Sequence, residues 1–132
     1  MKSKFSPMKG VVIKSTGNLC QVLSGNHKKY SCKIKGKTRL MNIEFTNPIA
    51  VGDIVEFTLD DNNEIGLIQK IDKRKNYIIR KSVNLSHKSQ VIASNIDLAL
   101  LIVTLQNPTT SLKFIDRFLV QSAAYGIDAK LI

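Results

Sequence analysis

"VGDIVEFTLDDNNEIGLIQKI", residues 51–71, decides the fold. Val55, Phe57 and Leu59 alternate with Glu56 and Thr58, the period of two that buries one face of a strand. Asp60-Asp61-Asn62-Asn63 is a turn, because these side chains bond their own backbone and break a ladder. The chain then returns with Ile65, Leu67 and Ile71 placed on one face. The segment therefore reads as a hairpin of two half-buried antiparallel strands.

Working outward, the same grammar precedes it. Met8 to Ser15 is a strand centred on Val11, Val12 and Ile13. Thr16-Gly17-Asn18 is a turn, Leu19 to Leu23 a second strand, Ser24-Gly25-Asn26 another turn, and Tyr30 to Ile34 a third strand. Five short strands of this kind close into a small barrel, which removes exposed edges. An OB-fold is the leading reading and an SH3-like barrel the runner-up. Met41 to Pro48, where an OB-fold often carries a helix, has only a weak helical pattern and reads as a helix or a loop.

Beyond the hairpin the period changes. Leu98 to Leu105 is nearly continuous apolar, as for a strand buried on both faces. Asn107-Pro108 breaks it, and Thr110 or Ser111 can cap a helix by accepting backbone N–H bonds. Phe114, Ile115, Phe118, Leu119 and Ala123 form an apolar helical stripe. Gly126 suits the left-handed position after a helix, and "AKLI" follows as a strand. This is a βαβ unit with a right-handed crossover. Two strands do not make a domain, so the unit reads as the incomplete start of an α/β domain. The expected division is 1–72 as an OB-fold domain, 73–92 as a basic linker and 93–132 as the start of the second domain.

The formal net charge is +10 and is uneven. Residues 1–80 hold 15 Lys/Arg against 7 Asp/Glu, whereas residues 81–132 hold 5 against 3. That asymmetry points to a polyanion partner for the first part, most plausibly nucleic acid. His27 to Arg39 contains Lys28, Lys29, Lys33, Lys35, Lys37 and Arg39 with no acid. These six and Lys14 are the candidate RNA-binding residues; the Asp60-Asp61 loop would repel phosphate. A second basic cluster, Lys70, Lys73, Arg74, Lys75, Arg80 and Lys81, reads about equally as RNA contact or as solvated linker. Tyr30 reads as a packed strand residue ahead of a base-stacking one.

Catalytic and metal chemistry find no footing. Cys20 and Cys32 form no Cys-x-x-Cys pair and read as buried free thiols. His27 and His87 have no second ligand at metal-binding spacing. The longest apolar run, Leu98 to Val103, is far shorter than the roughly 20 residues that span a bilayer. No signal peptide follows the basic amino terminus, so a cytoplasmic protein without a membrane partner is expected.

Five stretches carry a resemblance: "KGKTR" at Lys35 to Arg39, "NPIAVGDIVEF" at Asn47 to Phe57, "RKNYIIRKS" at Arg74 to Ser82, "ASNIDLALLIVTL" at Ala93 to Leu105 and "FIDRFLVQSAAYGI" at Phe114 to Ile127. Their order resembles the ribosome small-subunit-dependent GTPase A family of bacterial, circularly permuted GTPases. The resemblance implies an all-β OB-fold barrel followed by a permuted α/β P-loop GTPase domain, here only its βαβ start. It also implies GTP, magnesium and zinc for the full-length protein, with the small ribosomal subunit and ribosomal RNA as partners. In that family the guanine-reading Asn-Lys-x-Asp motif follows the strand that "AKLI" begins. The 132 residues contain neither that motif nor a phosphate loop. A truncated form is therefore expected, inactive alone and with its second half prone to self-association. The alternative is a stand-alone RNA-binding OB-fold module without enzymatic activity.

Overall fold

The computed structural model describes residues 6–34, 47–60, 62, 64–81 and 89–132. Strands β1 (Met8–Thr16), β2 (Leu19–Ser24), β3 (Lys29–Ile34), β4 (Ile54–Leu59) and β5 (Gly66–Ile71) close into a barrel of order β1-β2-β3-β5-β4, with β4 returning to β1. All pairings are antiparallel except β3 with β5. This is the OB-fold order and excludes the SH3-like alternative. The Met41–Pro48 expectation falls largely outside the described residues.

The alternating positions Val12, Val22, Cys32, Val55 and Phe57 fill the barrel together with Ile49 and Ile68. Tyr30 packs inward against Phe57 with ring centroids 5.4 Å apart, as expected. Two bulges reset the alternation. On β5 the register passes from Phe57↔Ile68 to Glu56↔Lys70, leaving Gln69 as an extra residue. Gly66 and Ile68 therefore face the core while Leu67 turns away, so the expected face of Ile65, Leu67 and Ile71 is corrected. A one-residue insertion moves every side chain before it to the opposite face. Gly66 is required for close approach: a Cβ there would lie 2.4 Å from Cys32 Sγ.

Within residues 73–92, expected as a basic linker, the described residues include two strands. β6 (Tyr77–Lys81) and β7 (Ser89–Ser94) form an antiparallel ribbon. The ribbon meets the barrel through a parallel bridge between Val51 and Ala93. Asp53 is fully buried beneath this junction. It accepts from Arg74 Nε (2.6 Å) and Nη2 (2.7 Å), from Ser94 Oγ (2.5 Å) and from the Ala50 amide (2.9 Å). Asn47 adds two bonds to the Val91 backbone, donating to its carbonyl at 2.8 Å and accepting from its amide at 2.9 Å. Gly52 has φ +93°, and a Cβ there would meet the Ser94 carbonyl oxygen at 2.0 Å. Only glycine lets the backbones come this close.

The second half is the expected strand–helix–strand. β8 (Ala99–Leu101) and β9 (Ala129–Leu131) pair in parallel, joined by α1 (Leu112–Ala124). Ser111 is the N-cap, its hydroxyl accepting from the Phe114 amide. Gly126, at φ +65°, closes the helix in a Schellman motif: its amide reaches Ala123 O and the Ile127 amide reaches Ser122 O. The ribbon touches α1 through Gln121 Nε2 on the Ile79 carbonyl (2.9 Å) and a Tyr77–Tyr125 ring contact. The expected long strand at Leu98 to Leu105 is corrected to Ala99–Leu101. Its burial is one-sided, because β8 alternates: Ala99 and Leu101 are covered and Leu100 is 52% exposed.

Candidate nucleic-acid interface

Lys14 reaches solvent because of a bulge. Val12 faces the core, and two residues on, Lys14 would follow it inward in a regular strand. The register instead passes from Val12↔Val22 to Lys14↔Gln21, leaving Ile13 unpaired. Lys14 is thereby turned onto the outer face. On β3, Tyr30 and Cys32 point in, so Lys29, Ser31 and Lys33 point out. Cross-strand rows then run Val11–Leu23–Lys29, Lys14–Gln21–Ser31 and Thr16–Leu19–Lys33. Lys29 and Lys33 stand about 13 Å apart along the strand at the usual rise per residue. Lys28 follows His27, the positive-φ residue of the β2–β3 turn, and is exposed beside this face.

Four of the seven candidates therefore come together: Lys14, Lys28, Lys29 and Lys33. Lys35, Lys37 and Arg39 lie outside the described residues. Charge nominated Lys28, Lys29 and Lys33, and its place beside the first hairpin nominated Lys14; the half-exposed Val11 and Leu19 on the same face went unnoticed, since their alternation resembles that of core residues. No acid precedes Glu44 in the chain, so β1, β2 and β3 carry none. None of the outward residues in the three rows is aromatic.

The opposite side of the barrel is electrostatically different. Lys9 Nζ donates to Asp72 Oδ2 at 2.9 Å and lies 3.8 Å from Glu56, and Lys70 lies within 4.0 Å of both acids. The hydrogen bond from Lys9 holds the Asp72 carboxyl below its ordinary range. Three members of the second basic cluster are paired in the same way. Arg74 is committed to Asp53, Lys70 to the acids just named, and Lys75 to Asp97 at 2.5 Å. Arg80 reaches a neutral partner, Gln90 Oε1, at 3.1 Å.

Burial pushes the Cys20 thiol up to about 11 and Cys32 to about 12, the latter helped by Cys20. Both stay protonated at neutral pH and are unsuited to nucleophilic or metal chemistry. Among the described residues, no group of three His, Cys, Asp or Glu comes together to hold a metal ion. No helix among them is long and apolar enough to cross a membrane.

A family model described as the RsgA N-terminal domain matches residues 9–68, and one described as the RsgA GTPase matches residues 71–132. The chain belongs to the RsgA family. It is 53% identical over 127 residues to the small ribosomal subunit biogenesis GTPase RsgA of Flavobacterium psychrophilum, covering 95% of this chain and 39% of that protein. The Bacteroides fragilis protein of the same name is 48% identical over 125 residues, covering 95% and 40%. The chain thus spans about 40% of the length of these RsgA relatives. Among solved structures, YjeQ from Thermotoga maritima superimposes with a TM-score of 0.69 at 28% identity, over 96% of this chain and 40% of that one. YloQ, a circularly permuted GTPase, gives 0.66 at 24% identity over 99% and 42%, a likeness of fold. The barrel is the OB-fold of RsgA proteins, and β6 to β9 with α1 lie in the stretch that matches the opening part of their GTPase domain.

Proposed function

We propose that this chain is the RNA-gripping part of a cytoplasmic small-subunit biogenesis GTPase. Its barrel, residues 1–72, holds ribosomal RNA of the small subunit through Lys14, Lys28, Lys29 and Lys33, and Lys35, Lys37 and Arg39 continue that charge in sequence. GTP hydrolysis by the longer protein is coupled to late maturation of the subunit and to release. The observation that carries this reading is the acid-free outer face of β1, β2 and β3. With no aromatic in its three rows, the face is not a base-stacking platform. It suits recognition of phosphate positions and of folded RNA shape.

The nucleotide chemistry is not assigned to these residues. They contain no Asn-Lys-x-Asp and no phosphate loop, so they do not fit GTP or its magnesium, and no step of hydrolysis is derived through them. For zinc, the described residues supply no ligand cluster.

The test is binding of small-subunit ribosomal RNA at several salt concentrations. About six neutralised phosphates would give a slope of log affinity on log salt on the order of −4 to −5. Lys29→Glu with Lys33→Glu replaces two attractions by repulsions and is expected to weaken binding at least about 30-fold. A flat salt dependence, or full binding by that double variant, overturns the reading.

A further inference from the structure

Where the basic face ends at the β1–β2 turn, a cleft of about 550 Å³ opens between that turn and the β6–β7 ribbon. That volume is in the range of ligand sites, roughly 300–1,000 Å³. We infer that this cleft is a second RNA contact outside the barrel, in which the Arg80 guanidinium takes a phosphodiester and the attached nucleoside rests against Val51 and Ile92. The inference deepens the RNA-binding reading of the barrel and rests on it.

Three observations converge. First, the cleft lining includes Arg80 and Gln90, and none of its described residues is an acid. Arg80 forms no ion pair among the described residues, unlike Arg74 six positions earlier. Its hydrogen bond to Gln90 Oε1 uses one of five N–H donors and steadies the fork, a geometry suited to two-point contact with phosphate. Second, the wall carries apolar surface with nothing upon it. Ile92 is 52% exposed because it is the extra residue where the ribbon register passes from Ile78↔Ala93 to Ile79↔Val91. Val51, across the junction, is also exposed. Third, the cleft adjoins the basic face: Gly17 and Asn18, the turn that joins Thr16 and Leu19 of its last row, line the cleft. An RNA strand crossing Lys33 and Leu19 would reach the β1–β2 turn, which shares the cleft lining with Arg80.

The measurement is binding of in vitro transcribed small-subunit ribosomal RNA to wild type, Arg80→Ala and Arg80→Lys. Arg80→Ala is expected to weaken binding about 5- to 20-fold and to reduce the salt slope by about 0.7 to 0.9, one phosphate contact. Arg80→Lys keeps the charge but not the fork, so its affinity should fall between the two with the slope retained. Arg80 is exposed, and an unchanged circular dichroism spectrum verifies each variant. A photo-cross-linker on Ile92→Cys should capture RNA, and less of it in the Arg80→Ala background. If Arg80→Ala changes neither affinity nor slope while Lys29→Glu with Lys33→Glu abolishes binding, the cleft inference falls and the barrel reading stands. If neither set of changes matters, both fall. Capture of a protein segment at position 92 with no RNA adduct also overturns the inference.

Discussion

The barrel and the β8–α1–β9 unit are built from equally clear local signals, yet they end in opposite states. In the barrel each strand has two neighbours, and Val12, Val22, Val55, Phe57 and Ile68 are wholly removed from water. In the second unit two short strands have only each other among the described residues. Ile102 is 76% and Leu105 86% exposed, and Leu112, Phe114 and Val120 on α1 are also open to solvent. A cap, a Schellman stop and an apolar stripe are enough to shape a helix. A sheet stable on its own needs three or more strands with a well-covered apolar face. The ribbon lies between the two, fastened to the barrel by the Asp53–Arg74 pair and to α1 by Gln121.

The contrast can be broken most sharply by deleting apolar bulk on each side of it. Phe57→Ala should cost about 3–5 kcal/mol, because it leaves a cavity in a closed core. Leu100→Ala should cost less than about 0.5 kcal/mol, since that side chain already sits in water. Urea denaturation followed by circular dichroism reads both; equal losses would mean that the two halves are packed alike. Asp53→Ala tests the fastening. It strands a largely buried guanidinium and should also cost about 3–5 kcal/mol, with amide exchange of the β6–β7 ribbon accelerating more than that of β1 and β2.

A subtler expectation concerns association. The open apolar residues of β8 and α1 should make the 132-residue chain self-associate with rising concentration, as sedimentation would report. Leu100→Lys with Leu112→Lys should restore a monomer, whereas barrel-face changes should not. A smaller effect is foreseen within α1. Ser122 is buried, and its hydroxyl has no hydrogen-bond partner among the described residues. Ser122→Ala removes an unsatisfied group and should stabilise the second half by up to about 1 kcal/mol.

The smallest effect is on pH, and each half supplies a carboxylate for it. Lys9 lowers the Asp72 pKa and Lys75 lowers that of Asp97. A depressed carboxylate contributes stability that is present above its unfolded pKa and disappears as pH falls through the folded value. Both contributions should therefore fade below about pH 4 and shrink in about 0.5 M salt, since these pairs are exposed. Denaturation midpoints between about pH 2 and 6 check this.

What the sequence determined by itself was whatever depends on neighbours in the chain: the spans of the five barrel strands and of the helix, the turns between them, a cap at Thr110 or Ser111, the Gly126 stop and the basic character of His27 to Arg39. Solvent-facing charge is readable without knowing register, and Lys28, Lys29 and Lys33 are indeed exposed. Tertiary structure alone decided which way side chains point after a bulge. Regular alternation from Val12 would place Lys14 inside, and the apolar spacing put Leu67 where Ile68 belongs. A bulge is set by pairing with another strand, so no local pattern announces it. The same holds for Asp53 and Arg74. They lie 21 residues apart and look like ordinary surface charges in sequence. They become a buried pair only because closing the barrel brings the ribbon over Gly52, where the missing side chain leaves room for the two backbones to touch.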